Sequence, residues 1–505
     1  MSFTLDVPVL DANPVLIAEL RPSKINEFIE RLPLNNVFSA ATILLEEMQI
    51  LNRQKISADS RIKALELYRP SVIRLTSALQ DLLTTNETYP MPAKLKSCFS
   101  SAELLWQELA YGYKLACLDY KAKLITRSTK SAVLASQRAV HSLHQLALVY
   151  YSTYYSPPTS IWADLHQLYY SALQQKTDKT EVSDTNSQRN NASSVRAAYS
   201  QAMLIGMANP QHLTQSDIKL ANDYLCHLSD LALLRSLAVT ESHSGVFLIK
   251  LDSNQLPIPF NKNSHQPNIN SDILLVTIDI ARKMHQDLQI LKEGKIPADG
   301  YFPSNTLNLN YVDLITYLIK QLGATPKRLF SRASQDNKVQ LLFGVSAAFQ
   351  ALEASTQNLV KTSIWQVQNT SATGFALKKF QAVEVNIKVG DFIAMKETDD
   401  GIWSVGVLRW IIADEQDHVD IGFQLLTPTM QAISLKSDKL FNYENALLLP
   451  ELVALKVAQS IVVSRGIYQH GAVFDMMQGS TQHKVLVTKL LERTPSFERF
   501  EFSII

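Results

Sequence analysis

Cysteine and net charge are both scarce in this sequence. The three cysteines are Cys98, Cys117 and Cys226, and their spacing matches neither a zinc site nor a disulfide framework. They are expected to be small core residues in a reducing compartment. The 48 basic and 47 acidic residues leave a formal charge of +1, so no overall positive field exists to hold a nucleic acid polymer or an anionic membrane. Any anion site must be local.

The sequence also lacks targeting and membrane-spanning segments. Its first residues, MSFTLDVPVL, have neither the basic nor the apolar region of a secretory signal. No apolar run approaches the 18 or so residues that a membrane helix needs. These absences predict a cytoplasmic protein without a membrane span.

Motifs of catalysis are absent as well. There is no H-E-x-x-H, no cluster of cysteine and histidine, no Walker loop, no G-x-G-x-x-G and no G-x-S-x-G. His418, His470 and His483 are scattered, and the acidic pair Asp399-Asp400 lies in a predicted turn. We therefore expect no catalytic residues, no metal, no cofactor and no enzymatic activity.

A chain of 505 residues is long enough for roughly three domains. From about residue 23 to 175 the apolar residues recur at intervals of three and four, which predicts amphipathic helices. Residues 176–194 are polar and predict a mobile loop. Helical periodicity then resumes, so residues 1–240 are predicted to form one all-α domain that includes this loop.

The remaining sequence changes from helix to strand. Residues 241–325 are predicted to form a mixed α/β connecting region, with two short strands in GVFLIKLDSNQLPIPF and helices in ILLVTIDIARKMHQDLQILKEG and YVDLITYLIKQLG. Short strands separated by turns then predict a small closed or nearly closed β-barrel over 326–430 and a small additional β unit over 431–505. The predicted fold class is multidomain α+β.

The segment RLFSR places Arg328 and Arg332 four residues apart directly before the predicted barrel, with Lys327 beside them. A guanidinium group presents a rigid fork of donors that matches phosphate oxygens, and its flat face can stack on a purine. The two arginines can therefore hold both a phosphate and a base, with Lys327 as an additional contact.

The segment NTSATGF places Asn369, Ser371 and Gly374 in a polar turn. The amide of Asn369 suits the edge of a base, because it offers both donors and an acceptor. The Ser371 hydroxyl and neighbouring backbone amides can face a phosphate, and Gly374 permits a close approach that a Cβ would forbid. Together the two segments favour a compact phosphorylated guanine ligand over a long polymer.

An R-x-x-x-R motif before a barrel, followed by [D/N]-x-S-x-x-G on an early strand, resembles the PilZ domain, a bacterial receptor for the second messenger cyclic di-GMP. The segments VGDFIAMK, SVGVLRWI and VDIGFQLL look like later strands of that barrel. The resemblance covers about residues 326–430. A large helical region precedes this barrel in the sequence.

The resemblance implies roles for individual residues. Arg328 and Arg332 would bind guanine edges and phosphates, while Asn369, Ser371 and Gly374 would complete the pocket from the barrel surface. PilZ domains are similar in closing an arginine-bearing segment over the ligand, which implies movement relative to the preceding helix.

Two features differ from the PilZ pattern or lie beside it. The interval between the two motifs is long, and AFQALEASTQNLVK within it is expected to form an extended hairpin; asparagine also replaces the commoner aspartate. Arg409 and Trp410 could contact a ligand, but the sequence favours a barrel-core tryptophan and a surface arginine.

The predicted function is a cytoplasmic, non-catalytic cyclic di-GMP effector that passes the signal to a protein partner through its helical domain. By resemblance, the output is type IV pili, surface attachment, motility or biofilm formation, with recruitment to a cell pole or a membrane-associated machine. Two alternatives stay open: an adaptor or scaffold whose degenerate barrel binds no ligand, and a nucleotide-processing enzyme. The sequence does not distinguish one bound ligand molecule from two.

Overall fold

The computed structural model of the chain divides into two compact units. The helical unit contains residues 1–86, 91–210 and 215–327, and the barrel unit contains residues 87–90, 211–214 and 328–505. The structure describes residues 3–85, 89–122, 129–184, 192–237, 244–261, 267–323, 333–334, 337–353, 360–371, 373–381, 383, 385–397, 401–414, 416, 418–437, 442–453 and 457–505.

Helices dominate the described part of the helical unit, as the three-and-four spacing of apolar residues predicts. Some begin at side-chain caps: Asn36 accepts a hydrogen bond from the amide of Ser39, and Ser194 accepts one from Ala197. The helices are α1 (Pro22–Glu30), α2 (Val37–Asn52), α3 (Ala58–Thr85), α4 (Ala93–Ala122), α5 (Thr129–Tyr151), α6 (Thr159–Gln174), α7 (Val195–Met207), α8 (Gln215–Leu228), α9 (Ile278–Lys292) and α10 (Tyr311–Leu322).

The polar segment 176–194 is held more firmly than its composition predicts. Its strands β1 (Val182–Ser183) and β2 (Ala192–Ser193) pair with each other. Asp184 is buried, and its carboxylate accepts two hydrogen bonds of 3.0 Å from Arg69. Arg138 forms a second ion pair with Asp184. Charge pairing therefore anchors a segment that has few apolar residues, although residues 185–191 lie outside the described part.

A four-stranded sheet completes the helical unit. Its strands are β3 (Leu233–Ser236), β4 (Val246–Lys250), β5 (Ile258–Pro259) and β6 (Asp272–Val276), in the order β3-β6-β4-β5. Two segments that the sequence predicts as helix are strands: Leu233–Ser236 forms β3 and Asp272–Val276 forms β6. The β6 residues are all buried between two neighbouring strands, and a short, continuous apolar run does not distinguish such a strand from a buried helix.

The first barrel of the barrel unit closes from six strands. They are β8 (Lys338–Phe343), β9 (Ser363–Ser371), β10 (Gly374–Lys379), β11 (Phe392–Glu397), β12 (Ser404–Ala413) and β13 (Val419–Thr427). Around the barrel the order is β8-β9-β10-β13-β12-β11, and β11 returns to β8. The two-residue strand β7 (Ala333–Ser334) adds to β9.

The expected hairpin between the two motifs was wrong. Helix α11 (Val345–Leu352) follows β8 directly, and its Val345 and Ala348 are buried in the core. Because α11 turns these apolar side chains into that core, the extra residues form a packed helix; residues 354–359 lie outside the described part.

A second barrel also closes from six strands, in the order β14-β15-β16-β19-β18-β17. The strands are β14 (Gln431–Lys436), β15 (Glu444–Leu449), β16 (Ser460–Ser464), β17 (Val473–Gln478), β18 (Thr481–Arg493) and β19 (Phe497–Ile504). An apolar cluster between the two barrels joins them: the rings of Phe392 and Phe497 meet edge to face with centroids 5.5 Å apart. The interior of the second barrel holds a separate apolar cluster around Phe500 and Ile461.

Candidate ligand-binding site

The second predicted motif lies where β9 ends and β10 begins. Asn369 and Ser371 are on β9, and Gly374 is the first residue of β10. The predicted contacts Lys327, Arg328 and Arg332 lie outside the described residues.

A bulge turns the motif side chains onto the outer face of the barrel. Leu377 pairs with Val367, and both are buried inside; the next pair along is Ala376 with Asn369, which leaves Gln368 without a partner on β10. The extra residue reverses the alternation of side chains. Asn369 and Ser371 therefore share a face opposite to the barrel core, with their side chains half-buried.

Gly374 is needed for the close approach of two strands. It pairs with Ser371 on one side and Gln424 on the other. A Cβ at this position would lie 2.2 Å from the carbonyl oxygen of Phe423, which is far inside van der Waals contact. The Ser371 hydroxyl also donates to the Gly374 carbonyl at 3.2 Å. The glycine and the serine of the motif therefore fix the turn itself.

The first arginine motif is connected by sequence to this same place. Strand β7 begins at Ala333, the residue after Arg332. Ala333 pairs with Thr370 and Ser334 pairs with Asn369. The described chain nearest to the two arginines is thus hydrogen-bonded to the strand that carries Asn369 and Ser371.

Trp410 lies on the outer face, so the prediction of a barrel-core tryptophan was wrong. It pairs with Gly422, while its neighbour Ile411 pairs with Ile421 inside the barrel. A Cβ on Gly422 would lie 1.9 Å from the indole Nε1. The indole therefore reaches from β12 over β13, in the direction of Ala376 and the motif.

Arg409 links this face to the second barrel. Its Nε donates to the side-chain oxygen of Gln424, the residue opposite Gly374. Its Nη2 pairs with the carboxylate of Glu492 on β18 at 2.7 Å. About a third of the Arg409 side chain is exposed, at 37%, so the cation stays accessible beside the motif.

The other described charges of this face are balanced. Lys378 on β10 lies 3.7 Å from Asp420 on β13. Burial raises the pKa of Asp420, and the nearby Lys378 partly opposes that rise. Arg409 is likewise paired with Glu492. Each of these two cations on the outer face, Lys378 and Arg409, is therefore paired with a carboxylate.

Metal clusters and membrane-spanning helices are both absent from the described residues. Among these, no group of three or more histidine, cysteine, aspartate or glutamate side chains is placed to hold a metal ion. No helix in the same part of the chain is long and apolar enough to cross a membrane.

Comparison with protein families identifies the architecture. Residues 348–432 match the middle PilZ domain of the cyclic-di-GMP receptor FimW, residues 23–238 match its N-terminal domain, and residues 429–505 match its C-terminal β-barrel domain. Together the three matches give a PilZ-domain chain with the domain order of FimW, in which a large N-terminal domain precedes the PilZ domain and a β-barrel domain follows it. The predicted PilZ resemblance and fold class are thereby confirmed, and the ligand of this receptor family is cyclic di-GMP.

Similarity to a curated FimW protein extends over nearly the whole chain. The cyclic-di-GMP receptor FimW of Pseudomonas aeruginosa strain PAO1 is 21% identical, and the match covers 99% of this chain and 93% of that protein. Among solved structures, the insecticidal delta-endotoxin Cry8Ea1 of Bacillus thuringiensis matches 96% of this chain and 69% of its own, at 9% identity and a TM-score of 0.17. A TM-score this low does not indicate a shared fold.

The sequence predicted Arg409 at the barrel surface, but it did not assign Trp410 to the outer face. A tryptophan in a strand normally indicates core, and the register shift between Leu408 and Trp410 leaves no trace in the alternation of apolar residues. The one available signal was Gly422, a small residue inside a strand, which often marks a close approach.

Proposed function

We propose that this chain is a non-catalytic effector that binds cyclic di-GMP on the outer face of its PilZ barrel. The observation that carries the proposal is the pairing of β7 with the motif strand, because it tethers the chain next to Arg332 beside Asn369. Two motifs separated by more than thirty residues in sequence can then act on one ligand.

Charge supports the same assignment of roles. Cyclic di-GMP carries two phosphates, whereas the described cations near the motif, Lys378 and Arg409, are both paired with carboxylates. Additional positive charge is required to hold the ligand, and Arg328 and Arg332 supply it from the segment before β7. Lys327 adds a further charge in the same segment.

The polar and aromatic groups of the face suit guanine. Asn369 can donate to and accept from a base edge, and Ser371 adds a hydroxyl beside it. Trp410 extends over β13 from the other side, and an indole is a good stacking partner for a purine. The indole above β13 therefore lies two strand spacings, roughly 10 Å, from the side chains on β9.

Titration calorimetry with cyclic di-GMP tests the proposal on the full-length protein. We expect saturable binding to the wild type, and a loss of at least about tenfold in affinity for Arg328→Ala and for Arg332→Ala, because a charge-assisted bond is lost in each. Arg282→Ala is the matched control, since Arg282 lies on α9 with 65% of its side chain exposed. Its affinity should equal that of the wild type.

Absence of heat with folded wild-type protein would overturn the proposal in favour of an adaptor whose PilZ barrel binds no ligand. Equal binding by the wild type and both arginine variants would show that the site lies elsewhere. Incubation with magnesium followed by detection of linear dinucleotide would instead indicate a nucleotide-processing enzyme.

The output is proposed to pass through the helical unit to a protein partner. As a cytoplasmic effector of this family, the protein would control type IV pili, surface attachment or motility, with recruitment to a cell pole or a membrane-associated machine. Complementing a deletion strain with wild type, Arg332→Ala or Arg282→Ala tests this. Restoration of surface attachment by Arg332→Ala would contradict ligand control.

A further inference from the structure

The connection between α7 and α8 contributes residues to the barrel unit. Residues 211–214 belong to that unit although the helices on both sides belong to the helical unit. Leu213 and Thr214 are buried, whereas His212 is exposed. The histidine ends a short 3-10 turn, Pro210–His212.

The imidazole of His212 lies beside the indole of Trp410. Their ring centroids are 6.4 Å apart, and the two planes are tilted by 47°. A tilted pair of this kind forms a wedge, not a closed stack, and Trp410 itself is half-buried. The wedge lies on the outer face that also carries the motif, on the side of β12.

The width of this wedge is close to that required for a flat base. Two van der Waals contacts of about 3.5 Å each separate parallel rings on either side of a base by roughly 7 Å. The ring centroids lie 6.4 Å apart, so insertion requires a rotation that brings the planes parallel and a separation of the rings to about 7 Å.

We propose that His212 and Trp410 form a slot that holds one guanine base of the ligand between their rings. This inference rests on the proposed function and names a ligand contact from the helix connection. Because His212 lies between α7 and α8, a base held against its ring restrains the connection between these helices. Base binding is thereby linked to the helical unit.

Ring variants of His212 test the slot by calorimetry with cyclic di-GMP. His212→Ala should weaken binding by roughly 5- to 100-fold, the range for loss of one base–aromatic stack. His212→Phe, which keeps a flat ring, should restore most of the affinity, and Trp410→Ala should weaken binding as His212→Ala does. His470→Ala is the control, since His470 is an exposed histidine of the barrel unit.

Unchanged affinity of His212→Ala, with a wild type that binds, would overturn the slot alone and leave the proposed function standing. A His212→Phe variant as weak as His212→Ala would also overturn it, because stacking requires only the ring. A wild type that does not bind would remove the proposed function itself.

Hydrogen exchange of the helix connection supplies a second readout. Added cyclic di-GMP should slow amide exchange in residues 208–220 of the wild type and should leave these residues unchanged in Trp410→Ala at saturating ligand. Equal protection in both proteins would show that the connection responds without the slot, which contradicts the proposal.

Discussion

The two units of the molecule differ in how much charge they bury. In the described part of the helical unit, eleven charged residues are buried in or against the core: Arg61, Arg69, Glu108, Lys114, Arg138, Asp164, Asp178, Asp184, Asp217, Asp272 and Asp287. In the described part of the barrel unit there are three, Lys379, Asp391 and Glu498. Both units have apolar cores, but the helical unit in addition buries ion pairs such as Lys114–Asp164 and Arg69–Asp184.

This difference has a physical consequence. A buried ion pair contributes little net stability, but the loss of one partner is costly because the other charge stays uncompensated. An apolar core loses stability in proportion to the volume removed, independently of pH. The helical unit should therefore be the pH-sensitive and switchable part, and the barrel unit the rigid support of the ligand face.

The largest expected effect is that of removing an aromatic ring from the apolar cluster between the two barrels. Phe497→Ala should lower the free energy of unfolding of the barrel unit by about 3–5 kcal/mol, because Phe497 is fully buried against Phe392. Both barrels should unfold in one transition, measured by amide hydrogen exchange at increasing urea concentrations, which follows each barrel separately. Phe380→Ala is the control, since 55% of Phe380 is exposed. Separate transitions of the two barrels would disprove that the cluster around Phe497 couples them.

A comparable loss is expected from breaking a buried ion pair in the helical unit. Lys114 donates to Asp164 at 2.6 Å, and both side chains are buried. Lys114→Met should lower the free energy of unfolding by about 3–5 kcal/mol at neutral pH. The loss should shrink in acid, because burial already raises the pKa of Asp164 and protonation removes the uncompensated charge.

The exposed pair Lys219–Asp81 provides the matched control for this measurement. Its side chains are 58% and 60% exposed, so Lys219→Met should change stability by less than about 1 kcal/mol. Far-UV circular dichroism during urea unfolding follows the helical unit in both variants. Equal destabilisation by the two substitutions would refute the contrast between the units.

Acid alone should weaken the helical unit. Burial lowers the pKa of His144 and of His166 to about 4, below the ordinary value near 6.5. The unfolded chain therefore binds protons first as the pH falls from 6.5 to about 4, and each histidine removes about 1.4 kcal/mol per pH unit in that window. Above pH 6.5 this contribution to stability is fully present.

The variant His166→Gln isolates one of the two histidines. Between pH 6.5 and 5 its free energy of unfolding should fall less steeply than that of the wild type. The difference in slope should be the contribution of one histidine, about 1.4 kcal/mol per pH unit. Parallel slopes for variant and wild type, measured by urea unfolding at several pH values, would show that His166 does not titrate as the buried geometry requires.

The smallest effects are expected at the motif itself. Gly374→Ala should cost about 1–3 kcal/mol through overpacking, because the added Cβ would meet the backbone of Phe423. Ser371→Ala removes only the hydrogen bond to the Gly374 carbonyl, worth about 1 kcal/mol. Thermal unfolding of the barrel unit compares the two, and a larger loss for Ser371→Ala would contradict the role assigned to the glycine.

The sequence predicted the helices and barrels well where periodicity was long or turns were frequent. It predicted the motif residues Asn369, Ser371 and Gly374, which the structure brings together on one face. It did not predict β6 or α11, because short apolar runs fit either kind of element. Nor did it predict the exposed position of Trp410, which depends on a register shift that only strand pairing reveals.

The anchoring of residues 176–194 was also beyond sequence reasoning. Composition alone indicates that a polar segment cannot repay the entropy of ordering. Asp184 reverses this locally by meeting Arg69, more than a hundred residues earlier in the chain. Such a long-range pair has no signature in local sequence.

Hydrogen exchange of the full-length protein, with and without cyclic di-GMP, tests the central claim most directly. The account predicts slower exchange in residues 333–334 and 369–376, where β7, β9 and β10 meet around the motif. Protection confined to the helices, with exchange of residues 369–376 unchanged at saturating ligand, would contradict it.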